Sequence, residues 1–168
     1  FYFYKFNFSR KVSFGSVWES LNIFGFNFEY VNLFYFLSIL IGMLLIFRLI
    51  KNYSSEIENY LFLGVVTFTL FNKVYSPQYI IWLSSIASLI ISKRNTKVLL
   101  SYLIWQFSEL VYHFGLWRYL YFIGWGRQAE GLPPAPYAFI SLSRTAFLFI
   151  FTLMIINNIR KSLKVKLY

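Results

Sequence analysis

The chain has 168 residues, of which 58% are hydrophobic and 13% are charged, and it carries a net charge of +10 and no cysteine. A soluble domain covers its surface with about a quarter charged residues, so this composition excludes an ordinary soluble domain, and the apolar content excludes intrinsic disorder. The absence of cysteine excludes disulfides, a thiol nucleophile and thiolate metal sites. Because the basic residues flank apolar runs, the charge indicates membrane topology and phosphate-bearing lipid rather than nucleic acid.

The segment at residues 1–31 is predicted to lie in the outer interface of a membrane. Trp18 and Leu21 have helical spacing, whereas Glu19 and Glu29 interrupt any span. A helix lying flat, with Trp18 at the depth of the lipid headgroups, fits this pattern. The ragged end of another transmembrane helix is the alternative.

Residues 32–157 are predicted to form an all-α membrane bundle of about five transmembrane helices, so that the whole chain is a single transmembrane module. A spanning helix needs ~20 mostly apolar residues, fewer where the membrane thins. The predicted spans lie at about residues 32–50, 59–71, 77–92, 98–123 and 137–156. The second is short, and it reaches a spanning length only if it continues towards residue 75.

Basic clusters follow the first, third and fifth predicted spans. They are Arg48 with Lys51; Lys93, Arg94 and Lys97; and Arg160, Lys161, Lys164 and Lys166. If five helices alternate in direction, all three clusters fall on one side, which the positive-inside rule makes the cytoplasm. The chain is therefore predicted to be a multi-pass protein of the plasma membrane, with the loops at residues 73–78 and 124–136 on the extracytoplasmic side.

The third predicted span has a marked helix start at its outer end. Ser76 suits the cap position and Pro77 suits the first turn of a helix. The free N–H groups and positive dipole end of such a helix favour anions, and Lys73 lies close by in the sequence. The residues therefore allow a phosphate site at the outer leaflet. The alternative is a plain turn between helices, with Lys73 reaching the interface.

The segment NKVYSPQYIIW, at residues 72–82, resembles the signature K-V-x-S-P-Q-Y-x-x-W of polyprenol-phosphate-mannose-dependent mannosyltransferases of the GT-C superfamily. Residues 10–18 are similar to an outer loop that precedes a span in such enzymes. The resemblance is dense over about a dozen residues and covers the C-terminal portion of the family's chain. Where the resemblance ends, the sequence is only loosely similar to the family.

The resemblance implies a membrane hexosyltransferase that moves a sugar, in this family mannose, from a polyprenyl-phosphate carrier to a lipid-linked or glycan acceptor on the extracytoplasmic face. The expected partners are this donor, this acceptor and membrane lipid, with no nucleic acid. The residues predicted to bind the donor phosphate are Lys73, Ser76, Gln78, Tyr79 and Arg144. No cofactor is predicted, and the sequence leaves dependence on a divalent metal open.

The fourth predicted span carries a polar stripe at helical spacing, formed by Tyr102, Gln106, Glu109 and His113. A carboxylate near mid-bilayer usually faces the bundle interior or a cavity. Gln106, Glu109 and His113 are therefore predicted to line a substrate cavity, together with Arg10 from the outer side. The alternative is an internal pair between Glu109 and His113, one turn apart. A single His does not indicate a metal site.

Arg144 lies about two turns inside the fifth predicted span, on the face of Ser141 and Thr145. Its side chain either reaches back to the outer interface or faces the cavity and binds the donor phosphate, whose geometry suits a guanidinium group. Other cations on the outer side, among them Arg10 and Lys11, are not explained by the positive-inside rule. A site for an anionic lipid explains several of them together.

A catalytic residue is missing from the recognisable motifs. The family uses an acidic residue on an early outer loop, and none of the six Glu residues occupies a recognisable copy of that motif. Since the chain also begins at Phe1, we interpret it as the C-terminal part of a larger enzyme, with the catalytic base upstream, and expect it to be inactive alone. The alternative function is non-catalytic: a lipid-binding transporter segment or an accessory membrane subunit.

Overall fold

The computed structural model describes residue 2 and residues 9–27, 29–91, 96–124 and 131–161. Within these ranges the chain is helical and has no β-strand. The helices are α1 (Val17–Ile23), α2 (Val31–Asn52), α3 (Ile57–Leu70), α4 (Gln78–Ile91), α5 (Thr96–Gly124) and α6 (Pro134–Lys161). The all-α prediction is confirmed, and each of the five predicted long segments corresponds to one helix.

Local signals set the ends of these helices. Ser16 caps α1, because its Oγ accepts a hydrogen bond from the backbone N–H of Glu19 at 3.1 Å. Beyond the other end of α1, Gly25 has a φ of +89°, a conformation that favours glycine. Helix α4 begins at Gln78, one residue after the predicted first position at Pro77, and α6 begins at Pro134.

The core joins α3, α5 and α6 through aromatic side chains. Phe62 of α3 meets Phe151 of α6 edge to face, with ring centroids 5.3 Å apart, and Trp105 of α5 stacks on the same Phe151 at 5.8 Å. Helices α5 and α6 share the most extensive contact, and α1 packs across α6. A second cluster, where Tyr119 stacks on Tyr137 at 4.1 Å, lies beneath α1. The segment before α2 is thus packed onto the bundle.

Three hydrogen bonds bring the segment before α2, the α3–α4 loop and the start of α6 to one end of the bundle. The backbone N–H of Ser13 donates to the carbonyl oxygen of Lys73 at 2.9 Å, and Trp18 Nε1 donates to the carbonyl of Phe71 at 2.8 Å. The backbone N–H of Gly15 donates to the Tyr137 hydroxyl at 2.9 Å. Trp18, predicted at headgroup depth, is therefore buried against the α3–α4 loop.

Two helices, α2 and α6, are long and apolar enough to cross a membrane by length and composition, where the sequence predicts about five. Helices α3 and α4 have 14 residues each. At 1.5 Å per residue they are about 21 Å long, against the ~30 Å of a bilayer's hydrocarbon core. Helix α3 does not continue towards residue 75, because it ends at Leu70.

Helix α5 has 29 residues, yet it is not among the helices that are apolar enough to span. The polar stripe that includes Gln106, Glu109 and His113 accounts for this, because it lowers the hydropathy of the middle of the helix.

The apolar surface of α2 is largely exposed. Only 6% of its most apolar stretch is buried, compared with 33% for α6. A soluble protein rarely exposes so large an apolar surface.

Candidate functional site

A basic recess opens at the end of the bundle where α2 begins, with a volume of about 490 Å³. Its charged and amide-bearing lining residues are Arg10, Lys11, Asn22, Glu29, Asn32 and Lys73. Three cations and one carboxylate therefore face the same space. The side chains of Arg10 and Lys11 are exposed, so a ligand in the recess can reach them from outside the bundle.

Lys73 forms the buried wall of this recess. Only 7% of its surface is exposed, and its Nζ donates a hydrogen bond to Asn32 Oδ1 at 2.9 Å. Burial lowers the pKa of Lys73 below its ordinary value, and the positive charge of Arg10 lowers it further. An anion bound between these two cations would relieve their repulsion and favour the charged form of Lys73. The recess is thus suited electrostatically to phosphate or a similar group.

The loop between α3 and α4 holds its own shape through Asn72. Its Oδ1 accepts a hydrogen bond from the backbone N–H of Val74 at 3.2 Å, and its Nδ2 donates to the Tyr79 hydroxyl at 3.3 Å. The Tyr79 backbone N–H donates to the carbonyl of Ser76 at 2.9 Å. Gln78 is exposed at the first position of α4. Of the residues predicted to bind phosphate in this motif, Lys73 lines the recess, whereas Ser76, Gln78 and Tyr79 do not.

Arg144 lies in the interior of the bundle. Its guanidinium carbon is 3.5 Å from the ring centroid of Tyr75 and 4.3 Å from that of Tyr112, so it lies over both rings, whose planes are nearly perpendicular to each other. Nη2 donates a hydrogen bond to the backbone carbonyl of Gly15. Nη1 lies 3.6 Å from Glu109 Oε2. Arg144 therefore neither reaches the outer interface nor lines the basic recess.

Glu109 is held from three sides. Both of its carboxylate oxygens lie 3.0 Å from the Tyr75 hydroxyl, which donates to them, and Trp105 Nε1 donates to Oε1 at 3.0 Å. With Arg144 opposite, the buried carboxylate has a charge partner and two neutral donors. A buried ion pair needs such additional hydrogen bonds to offset the loss of hydration. The Glu109 carboxylate is therefore well supplied with donors, whereas Nε and Nη1 of Arg144 are buried without a hydrogen-bond partner among the described residues, and the pair links α5 to α6.

His113 and Gln106 of the predicted stripe have separate partners, one within α5 and one on α4. His113 Nδ1 lies 2.7 Å from the backbone carbonyl oxygen of Glu109, so the contact between these residues involves the backbone and not the carboxylate. Gln106 Nε2 donates to Ser84 Oγ of α4 at 2.9 Å. The structure thus separates the predicted residues. Arg10 and Lys73 meet in the recess, whereas Glu109 and Arg144 form the buried pair.

The loop before α1 connects these two places. It lies within residues 10–18, whose sequence resembles an outer loop of the family, but no sequence feature predicted its contact with the buried pair. The backbone N–H of Gly15 donates to Glu19 Oε2 at 2.7 Å as well as to Tyr137. Gly15 has a φ of +76°, and a Cβ at this position would lie 2.0 Å from the Tyr112 hydroxyl. Only glycine therefore fits at this point of the loop.

An apolar groove of about 600 Å³ runs along α2, α3 and α6. It begins at Trp18, Phe34 and Phe71, close to the recess, and continues past Leu49 and Ile156. The recess is lined by Val31 and Asn32, the residues that begin α2. Recess and groove are therefore successive features along the same helix.

No group of three or more His, Asp or Glu side chains that could hold a metal ion occurs in the part of the chain that the structure describes. No protein-family model, no curated protein and no solved structure matches this chain.

Proposed function

We propose that this chain is the membrane-embedded C-terminal part of a glycosyltransferase. The enzyme moves a sugar, mannose according to the resemblance of residues 72–82, from a polyprenyl-phosphate carrier to a lipid-linked or glycan hydroxyl on the extracytoplasmic face. The observation that carries the proposal is that α2 lines both a basic recess, at its first residues, and an apolar groove, from Phe34 onward. A lipid-linked phosphate has one anionic group and one long hydrocarbon chain, which match these two features.

The recess supplies the electrostatic part of the proposed reaction. The acceptor oxygen attacks the anomeric carbon of the sugar, the bond from that carbon to the phosphate oxygen breaks, and the phosphate keeps the electron pair. Lys73, Arg10 and Lys11 would stabilise the charge that develops on this phosphate. Charged donors in a partly desolvated site are effective in this role, because water competes with them less.

The acceptor hydroxyl also has to lose its proton to a base, which we place in the larger enzyme outside this chain. Glu109 is engaged with Arg144, Tyr75 and Trp105 and does not line the recess. Glu29 is the described carboxylate that lines the recess. It is therefore the first residue of this chain to substitute if the chain transfers sugar alone.

We propose further that α2 to α6 all lie in the bilayer, with the recess on the extracytoplasmic side. The lengths of α2 and α6 and the exposed apolar surface of α2 support a membrane location. The bilayer would have to thin around the shorter α3 and α4. Basic residues at the ends of α2 and α6, Lys51 and Arg160 among them, lie opposite the recess and support a cytoplasmic position for that end.

The test is turnover of a polyprenyl-phosphate sugar in membranes that contain the full-length enzyme. Lys73→Ala is expected to lower donor turnover strongly, because it removes the buried cation of the recess. Lys97→Ala near the start of α5 is the matched control and should leave turnover near that of the parent. Equal activities of the two variants would reject the proposed phosphate site. Donor binding without transfer by the full-length protein would favour the non-catalytic lipid-binding alternative.

A further inference from the structure

Arg144 contacts both of the loops that carry the cations of the recess, although it lies outside the recess itself. We propose that Arg144 is a positioning residue that holds these loops together and thereby sets the affinity of the recess for phosphate. The inference rests on the proposed function in one respect, that the recess binds a phosphate group. In this proposal the buried ion pair affects the binding of phosphate without contacting the phosphate.

The first contact is with the loop before α1. Arg144 Nη2 donates a hydrogen bond to the carbonyl oxygen of Gly15. The backbone N–H of Gly15 donates to the Tyr137 hydroxyl and to Glu19 Oε2. Both backbone groups of Gly15 are therefore fixed by side chains of the bundle. Arg10 and Lys11 lie four to five residues earlier on this loop, so their position depends on where Gly15 is held.

The second contact is with the loop between α3 and α4. The Tyr75 ring lies 3.5 Å from the Arg144 guanidinium carbon, and its hydroxyl donates to the Glu109 carboxylate. Tyr75 is two residues beyond Lys73 in this loop. The ion pair thus holds Tyr75 by its ring and by its hydroxyl, and through it the segment that carries Lys73.

The two loops also meet directly, through the hydrogen bond from the Ser13 N–H to the Lys73 carbonyl. Without a ligand, this junction is opposed by the mutual repulsion of the cations at Arg10, Lys11 and Lys73. Besides this bond, Trp18 Nε1 donates to the carbonyl of Phe71 at the same junction. The Arg144 clamp adds a further constraint from the interior, which keeps the like charges together.

The experiment compares two arginines of the same helix, in the purified full chain in detergent. Arg144→Met is the test variant, and Arg160→Met, at the exposed far end of α6, is the control. Amide hydrogen exchange of residues 12–16 reports whether the loop is held, and titration calorimetry with hexyl phosphate reports the affinity. Arg144→Met is expected to speed exchange in residues 12–16 and to raise the Kd at least about tenfold, the scale of one lost hydrogen bond to a charged group.

Two further variants separate positioning from a purely structural role. Arg144→Met with Glu109→Gln leaves no unpaired buried carboxylate, so it keeps the test possible if Arg144→Met alone does not fold. Arg144→Lys keeps a charge opposite Glu109 but cannot hold both Gly15 and the two aromatic rings. We expect Arg144→Lys to retain most of the thermal stability while binding hexyl phosphate more weakly. A structural residue alone would change the Tm and leave the Kd of the folded protein unaltered.

The proposal is overturned if folded Arg144 variants bind hexyl phosphate as the parent does, whether or not their loop exchanges faster. It is also overturned if exchange in residues 12–16 matches that of Arg160→Met. If the parent chain binds no hexyl phosphate, the proposed phosphate site fails, and the affinity part of this inference fails with it. The exchange measurement then decides separately whether Arg144 positions the loop.

Discussion

Arg144 of α6 and Glu109 of α5 form an ion pair in the interior of the bundle, with Nη1 3.6 Å from Oε2 and with side chains 3% and 5% exposed. Neither charge can be removed alone without leaving the other buried and unpaired. Such a loss is typically worth about 3–5 kcal/mol, whereas removing both partners together costs less. The pair therefore determines how tolerant these two helices are to substitution.

The first prediction concerns this pair. Glu109→Leu should strongly lower the Tm, because it leaves Arg144 buried without a counter-charge and removes the acceptor of Tyr75 and Trp105. Phe107→Leu is the control on the same helix, since Phe107 is exposed, and its Tm should stay near that of the parent. Thermal unfolding in detergent followed by circular dichroism measures both. A silent Glu109→Leu would show that the pair contributes nothing to the stability of the bundle.

The second prediction uses two glycines with similar backbone conformations. Gly15 and Gly25 have φ values of +76° and +89°, but a Cβ would clash with Tyr112 only at Gly15 and meets nothing within 4 Å at Gly25. Gly25→Ala should therefore cost only the strain of the left-handed conformation, about 1–2 kcal/mol. Gly15→Ala should cost clearly more, because the Tyr112 ring must also move. Equal changes in the free energy of unfolding would mean that the loop before α1 can shift away from α5.

The third prediction concerns pH. Burial raises the pKa of Glu19 above its ordinary value, although hydrogen bonds from the Gly15 N–H and the Tyr137 hydroxyl act in the opposite direction. The folded chain then holds this proton more tightly than the unfolded chain. The stability from protonated Glu19 is fully present below the unfolded pKa, about 4.3 for Glu, and is lost as the pH rises through the raised folded value.

Glu19→Gln should accordingly raise the Tm at pH 7 and make the Tm less dependent on pH above the ordinary Glu range. Glutamine keeps an oxygen that can accept the hydrogen bonds from the Gly15 N–H and the Tyr137 hydroxyl. The comparison therefore isolates the effect of the carboxylate charge on stability. Glu56→Gln, at an exposed carboxylate, controls for the change in net charge. A lower Tm of Glu19→Gln at pH 7 would show that the carboxylate is stabilising as an anion.

The fourth prediction concerns the membrane orientation under the proposed function. Ser76 lies at the recess end of the bundle, and Ser54, in the loop between α2 and α3, lies at the opposite end. This chain contains no cysteine, so single cysteines can be introduced at either position without a background. With an impermeant thiol reagent applied from outside the cell, Ser76→Cys should react and Ser54→Cys should react only after permeabilisation. Labelling of both from outside would contradict a bundle in which α2 and α3 span the bilayer.

The helices themselves could be predicted from the sequence with small errors at their ends. The first predicted span, at residues 32–50, corresponds to the helix Val31–Asn52, and the fourth, at residues 98–123, corresponds to Thr96–Gly124. Apolar runs, Pro77 and the cap at Ser16 are local signals, and helix formation depends mainly on local hydrogen bonds and side-chain polarity. Fewer helices are long and apolar enough to span than predicted, because α3 and α4 are short and the polar stripe lowers the hydropathy of α5.

The partners of the charged residues could not be predicted in the same way. Helical periodicity predicts an inward-facing Glu109 and leaves Arg144 open between the outer interface and the cavity, and it does not state which side chain of another helix lies opposite either residue. The spacing of one helical turn makes His113 the candidate partner of Glu109, whereas the counter-charge of Glu109 is Arg144, 35 positions away on α6. Likewise, the recess requires Arg10 and Lys73 to meet from separate loops. Composition and periodicity determined a helical, apolar chain with an inward-facing carboxylate at Glu109. Only the packing of the helices decided that Arg144 faces inward and which charges meet, because both depend on distances between residues remote in sequence.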